Sequence, residues 1–243
     1  MSVPDPRDDR ASLPTAVVVG ATGGVGRSVV ELLRVTHRIW LVGRRSSAGP
    51  NRGRGPRAAQ YWSLDFEGDL AELAPPSDLG PVDLLVLAAG KWSSGTIAEG
   101  TPKEWADVLA VNVIGQIALT QLLLPHLRRA HGRVIALSST AVDGSPRGRA
   151  AYVASKAALD AFLVGLHEEE RRHGIQVTTL HAGRIATPMH REVTDAEATG
   201  QKVEAMAPDD LARVIVMLAE LPSSVHLSEL TLRAASFVEE PPA

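Results

Sequence analysis

The chain has 243 residues, 44% of them hydrophobic and 22% charged, with a formal net charge of −3. These are values of a globular protein, and the small net charge gives no field that would draw the chain to nucleic acid or an acidic membrane. It contains no cysteine, which excludes disulfides and thiolate chemistry and fits a reducing, cytoplasmic setting. No apolar run is read as the ~18 residues of a membrane span.

In chain order, residues 1–14 (MSVPDPRDDRASLP) carry acids and prolines but no apolar stretch, and read as a disordered lead-in rather than a signal peptide. Strand-like runs follow at 15–20, 38–43, 58–64, 82–90, 132–139, 175–183 and 228–234. They are almost continuously apolar, which suits strands buried on both faces of a parallel sheet. Helical patterns lie between them near 24–35, 66–74, 102–130, 150–173 and 208–220. Thr101, Pro102 and Glu104 form a helix-start signature, and PDDLARV at 208 opens another helix. This β-α-β-α rhythm predicts an α/β fold: one doubly wound (Rossmann) parallel sheet of about seven strands with helices on both faces, all within one domain over 15–243. The Gly-, Pro- and Arg-rich stretch 46–58 interrupts the rhythm and reads as a loop. Its single RGRG is a weak RNA-binding signal, outweighed by a solvated loop.

The first strand runs into GATGGVG, with glycines at Gly20, Gly24 and Gly26. Gly20 permits a tight turn, Gly24 lets backbone approach a pyrophosphate, and Gly26 allows close helix–strand packing. The following helix N-terminus offers free N–H groups and partial positive charge to phosphate. The spacing is G-x-x-x-G-x-G, and no G-K-[ST] follows, so this is not a P-loop. The second strand ends at Gly43, Arg44 and Arg45, without the carboxylate that bonds a ribose 2′-hydroxyl in NAD sites. An arginine there grips a 2′-phosphate, so the expected cofactor is NADP rather than NAD, with Arg44 the better placed.

In AAYVASKAALDAF (150–162), Tyr152 and Lys156 are four apart and share a helix face. Ser139 ends the strand GRVIALSS, where ligands of such sheets bind, and Asn112 interrupts the helical stretch before it. A ketone accepting hydride needs a proton on its oxygen. A nearby ammonium would lower the phenol pKa and let tyrosine donate or accept that proton, while a serine hydroxyl bonds the same oxygen. The residues contain no metal-ligand pattern.

These motifs together resemble the short-chain dehydrogenase/reductase family of single-domain type, over about residues 15–235. The resemblance implies a catalytic tetrad of Asn112, Ser139, Tyr152 and Lys156. The lysine would also bond the nicotinamide ribose, and the asparagine would hold a water linking that lysine to solvent. It further implies cofactor contacts from Gly20, Thr22, Gly24, Val25, Gly26, Arg44, Arg45, Asp65 at the adenine amino group, and Ala88, Ala89 and Gly90. In HAGRIATPM, Gly183, Ile185 and Thr187 would line the nicotinamide. Val19, Leu87 and Ala182 stand where the family usually has threonine, asparagine and proline. The first two suggest a polar link between adjacent strands exchanged for apolar packing.

The expected activity is NADP(H)-dependent interconversion of a carbonyl and a secondary alcohol. The other reading is a cofactor-binding relative without turnover. Residues 187–210 are the expected short substrate lid, with Trp92 and His190 as candidates near the substrate. The partners expected are a small carbonyl or alcohol and a second copy of the chain, as homodimer or homotetramer through the helices of 102–130 and 150–173.

Overall fold

The computed structural model describes residues 13–44, 59–70, 73–144, 147–189 and 205–235. Arg45, the 46–58 loop, His190, the 1–12 segment and most of the expected lid lie outside the described residues. The seven strands are β1 (Thr15–Val19), β2 (Arg38–Gly43), β3 (Gln60–Ser63), β4 (Leu84–Leu87), β5 (Arg133–Ser139), β6 (Gln176–Ala182) and β7 (Glu229–Leu232). They form one sheet in the order β3-β2-β1-β4-β5-β6-β7, and every pairing is parallel.

The continuous apolarity of the strands has a direct structural reason. Side chains alternate between the two faces of the sheet, and both faces are covered. Val17 and Val19 of β1 pack in the core shared with Leu119, Leu123, Leu159 and Leu163, whereas Ala16 and Val18 pack with Val29, Leu33, Leu211 and Ile215. The first core lies beneath α3 (Gly115–Ala130) and α4 (Ala150–Glu170), with α2 (Pro102–Leu109) packed against α4; the second lies beneath α1 (Gly24–Leu33) and α5 (Pro208–Ala219).

Local signals form where the sequence predicts them. Thr101 Oγ1 accepts from Glu104 N at 3.3 Å while Glu104 Oε2 accepts from Thr101 N at 2.7 Å, with Pro102 in the first turn. This is the reciprocal capping box. The predicted helix at 66–74 is not observed among the described residues 66–70 and 73–74. Instead Asp65 Oδ1 accepts from Glu67 N at 3.1 Å, and Phe66 is drawn into the first core. A side chain bonding the backbone two residues on sets a turn that competes with helix.

The helical stretch 102–130 holds an 18-residue window of mean hydropathy 1.7, long and apolar enough by those two measures to cross a membrane, contrary to the reading of the sequence. In this fold its apolar stripe is spent on the sheet: Leu119, Leu123 and Leu127 are fully buried in the first core. The stretch is broken at Ala110–Ile114, which forms a π-helical turn between α2 and α3 and contains Asn112.

β1 leads away toward β2 and β3 on one side and neighbours β4 on the other, so the strand order reverses between β1 and β4. A crevice forms there beyond the carboxyl ends of the strands.

Candidate active site

The crevice is a cleft of about 1100 Å³. Its floor is the turn after β1. Gly20 has φ +75, a left-handed conformation that L side chains rarely adopt, and a Cβ there would stand 2.7 Å from the Ala89 backbone nitrogen. A Cβ on Gly26 would run into the Gly20 carbonyl oxygen, so this glycine lets α1 start against β1. A Cβ on Gly24 would meet the Thr187 side chain, which ties the glycine loop to the segment after β6. Thr22, Val25, Ala88, Ala89, Gly90, Asp65, Gly183 and Ile185 also line the cleft. Every described residue expected to contact a cofactor therefore borders one space. The glycine turn has no side chain over its backbone, and α1 begins there with the free N–H groups that any helix N-terminus offers.

Val19 and Leu87 are register partners in β1 and β4, and both are buried in the first core. The two apolar departures from the family's pattern thus face one another. Removing both members of a polar pair leaves no orphaned donor or acceptor, which is the tolerated way to lose one.

At the end of the cleft beside β2, Arg44 lines it with its side chain 74% exposed. Its Nη1 lies 3.5 Å from Glu67 Oε2, and Glu67 Oε1 accepts from Lys91 Nζ at 2.6 Å. Lys91 also pairs with Asp107 at 3.4 Å, and these two acids hold its pKa above the ordinary lysine value. Glu67 and Lys91 were not singled out in the sequence. Nothing in their spacing marks them, because β3 brings Glu67 beside the end of β2 only through sheet pairing.

At the other end, Ser139, Tyr152 and Lys156 converge. Tyr152 and Lys156 emerge from the first two turns of α4, and Ser139 ends β5 beside them. All three are buried yet border the cleft. Lys156 Nζ donates to Leu137 O at 2.7 Å. Ser139 Oγ accepts from Ala141 N at 3.1 Å, and its hydroxyl lies near enough to the Tyr152 phenol to act on it. Burial pushes the Tyr152 phenol above its ordinary value, against smaller lowering effects from Ser139 and the charge of Arg149. The nearby cation acting on the phenol is thus Arg149, and the net shift is upward, where the sequence reading gave Lys156 and a downward shift. Burial lowers Lys156 to about 8, opposed by the charge of Asp160. The stronger desolvation of an ammonium held inside the fold accounts for that direction.

Asn112 is fully buried and reaches this group only through other residues. Its Oδ1 accepts from Lys91 N at 2.7 Å, and its Nδ2 donates to Lys91 O at 3.0 Å and to Ser155 Oγ at 2.9 Å. Ser155 Oγ in turn donates to Tyr152 O at 2.6 Å. The amide therefore joins the π turn, the segment after β4 and α4. The carbonyls loosened by the π turn are met by Gln116, whose Nε2 donates to Asn112 O at 3.1 Å, Val111 O at 3.4 Å and Ala89 O at 3.1 Å.

Trp92, expected near the substrate, stacks on Tyr152 with ring centroids 4.7 Å apart and planes tilted by 53°. Arg149 and Met189 also border this end and escaped the sequence reading. Arg149 carries no motif, and only the start of α4 turns it toward the cleft. Among the described residues, no group of three or more His, Cys, Asp or Glu is arranged to hold a metal.

Comparison with known proteins agrees with this architecture. The short chain dehydrogenase family model matches residues 14–198. An uncharacterized oxidoreductase of Staphylococcus epidermidis is 29% identical over 231 residues, spanning 90% of this chain and 96% of the relative. Two solved structures share the fold. One is a short chain dehydrogenase from Burkholderia cenocepacia in complex with NADP, with a TM-score of 0.77, 21% identity and coverage of 91% of this chain and 89% of that one. The other is a variant actinorhodin polyketide ketoreductase with NADPH, with a TM-score of 0.76, 24% identity and coverage of 94% and 97%. The matched length, the sheet order and the cleft lead to one conclusion: the chain belongs to the short-chain dehydrogenase family of oxidoreductases.

Proposed function

We propose that the protein is an NADP(H)-dependent oxidoreductase that interconverts a carbonyl and a secondary alcohol, with Tyr152 as general acid and base. The observation that carries this reading is the meeting of Ser139, Tyr152 and Lys156 at one end of the cleft whose other end is the glycine turn. When bound, the nicotinamide cofactor supplies the hydride. The α1 N-terminus with Gly20, Gly24 and Gly26 would hold its pyrophosphate, Asp65 its adenine, Arg44 its 2′-phosphate, and Gly183, Ile185 and Thr187 its nicotinamide end. Arg44 is the observation favouring NADP, and the NADP or NADPH in the two solved neighbours agrees with it.

In reduction, Tyr152 donates the proton that the carbonyl oxygen needs. A phenol whose pKa is raised by burial is fully protonated at neutral pH and ready to donate. The Ser139 hydroxyl bonds the same oxygen as charge develops on it. Arg149 supplies the positive charge that acts on the phenol, and the buried Lys156 borders the same end of the cleft. Asn112 holds the Lys91 backbone and, through Ser155, the first turn of α4, so its role is to position the tyrosine. Trp92 packs on the phenol ring and restricts where it can move.

The test mixes the protein with NADPH and a panel of ketones and aldehydes and follows loss of the reduced nicotinamide absorbance. Tyr152→Phe should abolish turnover, by at least about 100-fold, while leaving NADPH binding nearly intact. Turnover persisting in that variant removes the mechanism. NADPH binding with no turnover in the unaltered protein favours the cofactor-binding reading instead.

The family resemblance also supports assembly with a second copy through α3 and α4. Ile114, at the end of the π turn, and Val164 on α4 are more than half exposed.

A further inference from the structure

At the Tyr152 end of the cleft the charge is one-sided. Among the described residues that line the cleft, the carboxylates are those of Asp65 and Glu67. Both follow β3, and Glu67 is paired with Arg44 and Lys91. At the opposite end the guanidiniums of Arg149, Arg184 and Arg233 line the same space as Ser139 and Tyr152, with the buried Lys156 beside them. Each arginine comes from a different element. Arg149 directly precedes α4, three residues before Tyr152, and its charge acts on the phenol. A parallel bridge to Gly95 fixes its backbone, with Gly95 N donating to Gly148 O at 2.9 Å. Arg184 lies in the segment after β6, where Met206 N donates to Arg184 O at 2.9 Å. Arg233 follows β7, and the pairing of Ala182 with Leu232 brings it beside Gly183. A Cβ on Gly183 would stand 3.4 Å from Arg233 Cα and 3.8 Å from its Cγ.

Gathering like charges costs free energy that an anion offsets. Guanidiniums at one site repel one another, and the walls of a cleft focus their field toward whatever enters it. Arg149 and Arg184 have interactions of their own in the free protein. Even so, every formal charge among the described residues lining this end is positive. The proton transfer from Tyr152 has no use for Arg184 or Arg233, and a neutral ketone gives them nothing to bind. The phosphates of the cofactor are assigned to the glycine turn and to Arg44. A planar guanidinium matches a carboxylate through two parallel hydrogen bonds. Trp92 packs on Tyr152 with ring centroids 4.7 Å apart, and Met189 lines the same end, so apolar walls limit the space beside the phenol. A small molecule with a short apolar chain and an anionic end suits these surroundings.

We propose that the carbonyl substrate is a small oxo acid whose carboxylate is held by Arg184 and Arg233, with Arg149 adding to the field beside Tyr152. This rests on the carbonyl–alcohol reading of the site. In reduction, the hydride of NADPH forms the new C–H bond at the carbonyl carbon. The C=O π pair moves to oxygen, which takes the proton of Tyr152. The product is the hydroxy acid with its carboxylate unchanged, and one NADPH and one proton are consumed. Because the carboxylate takes no part in bond making, the arginines bind substrate and product alike. They contribute affinity and hold the carbonyl in place for the hydride.

The experiment compares each substrate with a version that lacks the charge. The full chain with NADPH is given straight-chain 2-, 3- and 4-oxo acids and, beside each, its methyl ester. At least one acid should exceed its ester in kcat/KM by about ten- to a hundredfold, the worth of hydrogen bonds between charged groups. Added salt should shrink that excess. Arg184→Met and Arg233→Met should each remove much of it, and Arg184→Lys should restore part, with NADPH affinity followed by nicotinamide fluorescence. Esters turned over as well as their acids overturn the proposal. So does a loss in Arg184→Met that is equal for acid and ester, or that falls on NADPH binding. A preference for dihydroxyacetone phosphate over dihydroxyacetone, with none among the acids, would make the anion a phosphate and overturn the carboxylate. If Arg184→Met fails to fold, Arg233→Met decides. Absence of turnover with every carbonyl strikes the parent reading. Calorimetry on the NADP-loaded protein then reads the anion site by itself: hydroxy acids should bind and their methyl esters should not, and equal binding or none overturns the proposal.

Discussion

At the scale of single residues, two opposite charges, Arg44 and Glu67, meet at the end of the cleft beside β2. Arg44 is the cation that would meet a 2′-phosphate, but Glu67 holds it in the free protein at 3.5 Å. A bound phosphate must take Arg44 from that carboxylate and also lie near its negative charge. Arg44→Ala should therefore weaken NADPH binding by about ten- to a hundredfold and NADH binding little, the worth of hydrogen bonds to a charged group. Glu67→Gln should tighten NADPH binding and leave NADH nearly unchanged. Titrating both variants with both cofactors by nicotinamide fluorescence checks this, and equal effects on the two cofactors would remove the 2′-phosphate assignment. Arg44 was legible in the sequence because it follows the second strand directly. Glu67 was not, because its proximity depends on β3 lying beside β2.

At the scale of elements, the π turn at Ala110–Ile114 is the irregularity that sets the site. A π turn inserts one residue into a helix and leaves carbonyls with poorer partners. Here it buries Asn112 and directs its amide to the Lys91 backbone. Gln116 repairs the loosened hydrogen bonds, including the link to Ala89 O in the segment after β4. Gln116→Leu leaves buried carbonyls without that donor and should cost about 1–3 kcal/mol. Urea unfolding measures it, and a midpoint unchanged with unchanged slope would show that other donors take over. Sequence reading marks Asn112 as an interruption but gives no means of seeing that the helix continues through it in π form. The missing helix at 66–74 has the opposite origin. Its composition is permissive, yet Asp65 fixes a turn and Phe66 finds a place in the core, so tertiary burial overrides a weak local preference.

At the scale of the whole molecule, α3 and α4 are clamped by Arg128 and the buried Glu170, bonded at 2.7 and 2.6 Å. The arginine holds the Glu170 carboxyl below the usual carboxylate range. Farther along, His167 on α4 stacks on His226 at 4.2 Å, and burial followed by the His226 charge lowers the pKa of His167. Burial likewise lowers His37. The signs give two separate acid windows. A histidine whose folded pKa is depressed leaves stability intact above about pH 6.5 and removes it as pH falls through the folded value. A carboxylate whose folded pKa is depressed contributes fully above its unfolded value of about 4.3 and loses that contribution only as pH falls further. The melting temperature should therefore begin to fall below about pH 6.5, before the Glu170 carboxylate titrates. His167→Gln should flatten that first step and leave the second. A first step of equal size in this variant would show that the stacked pair does not cause it.

Taken alone, the sequence determined the class of fold and most of the cleft. Strands buried on both faces must be apolar throughout, and helices between them must carry one apolar stripe, so periodicity reveals the layers. The glycine turn is legible because only glycine adopts φ +75 against neighbouring backbone without strain. Ser139, Tyr152 and Lys156 are legible because a strand end and one helix face are set by local spacing. Only the tertiary structure decided which groups from distant elements stand together: Glu67 beside Arg44, Gln116 on the Asn112 carbonyl, Trp92 on Tyr152, and Arg233 against Gly183. It also decided the direction of the Tyr152 and Lys156 shifts, since burial is a property of the packed molecule and outweighs the pairwise charges that a sequence suggests.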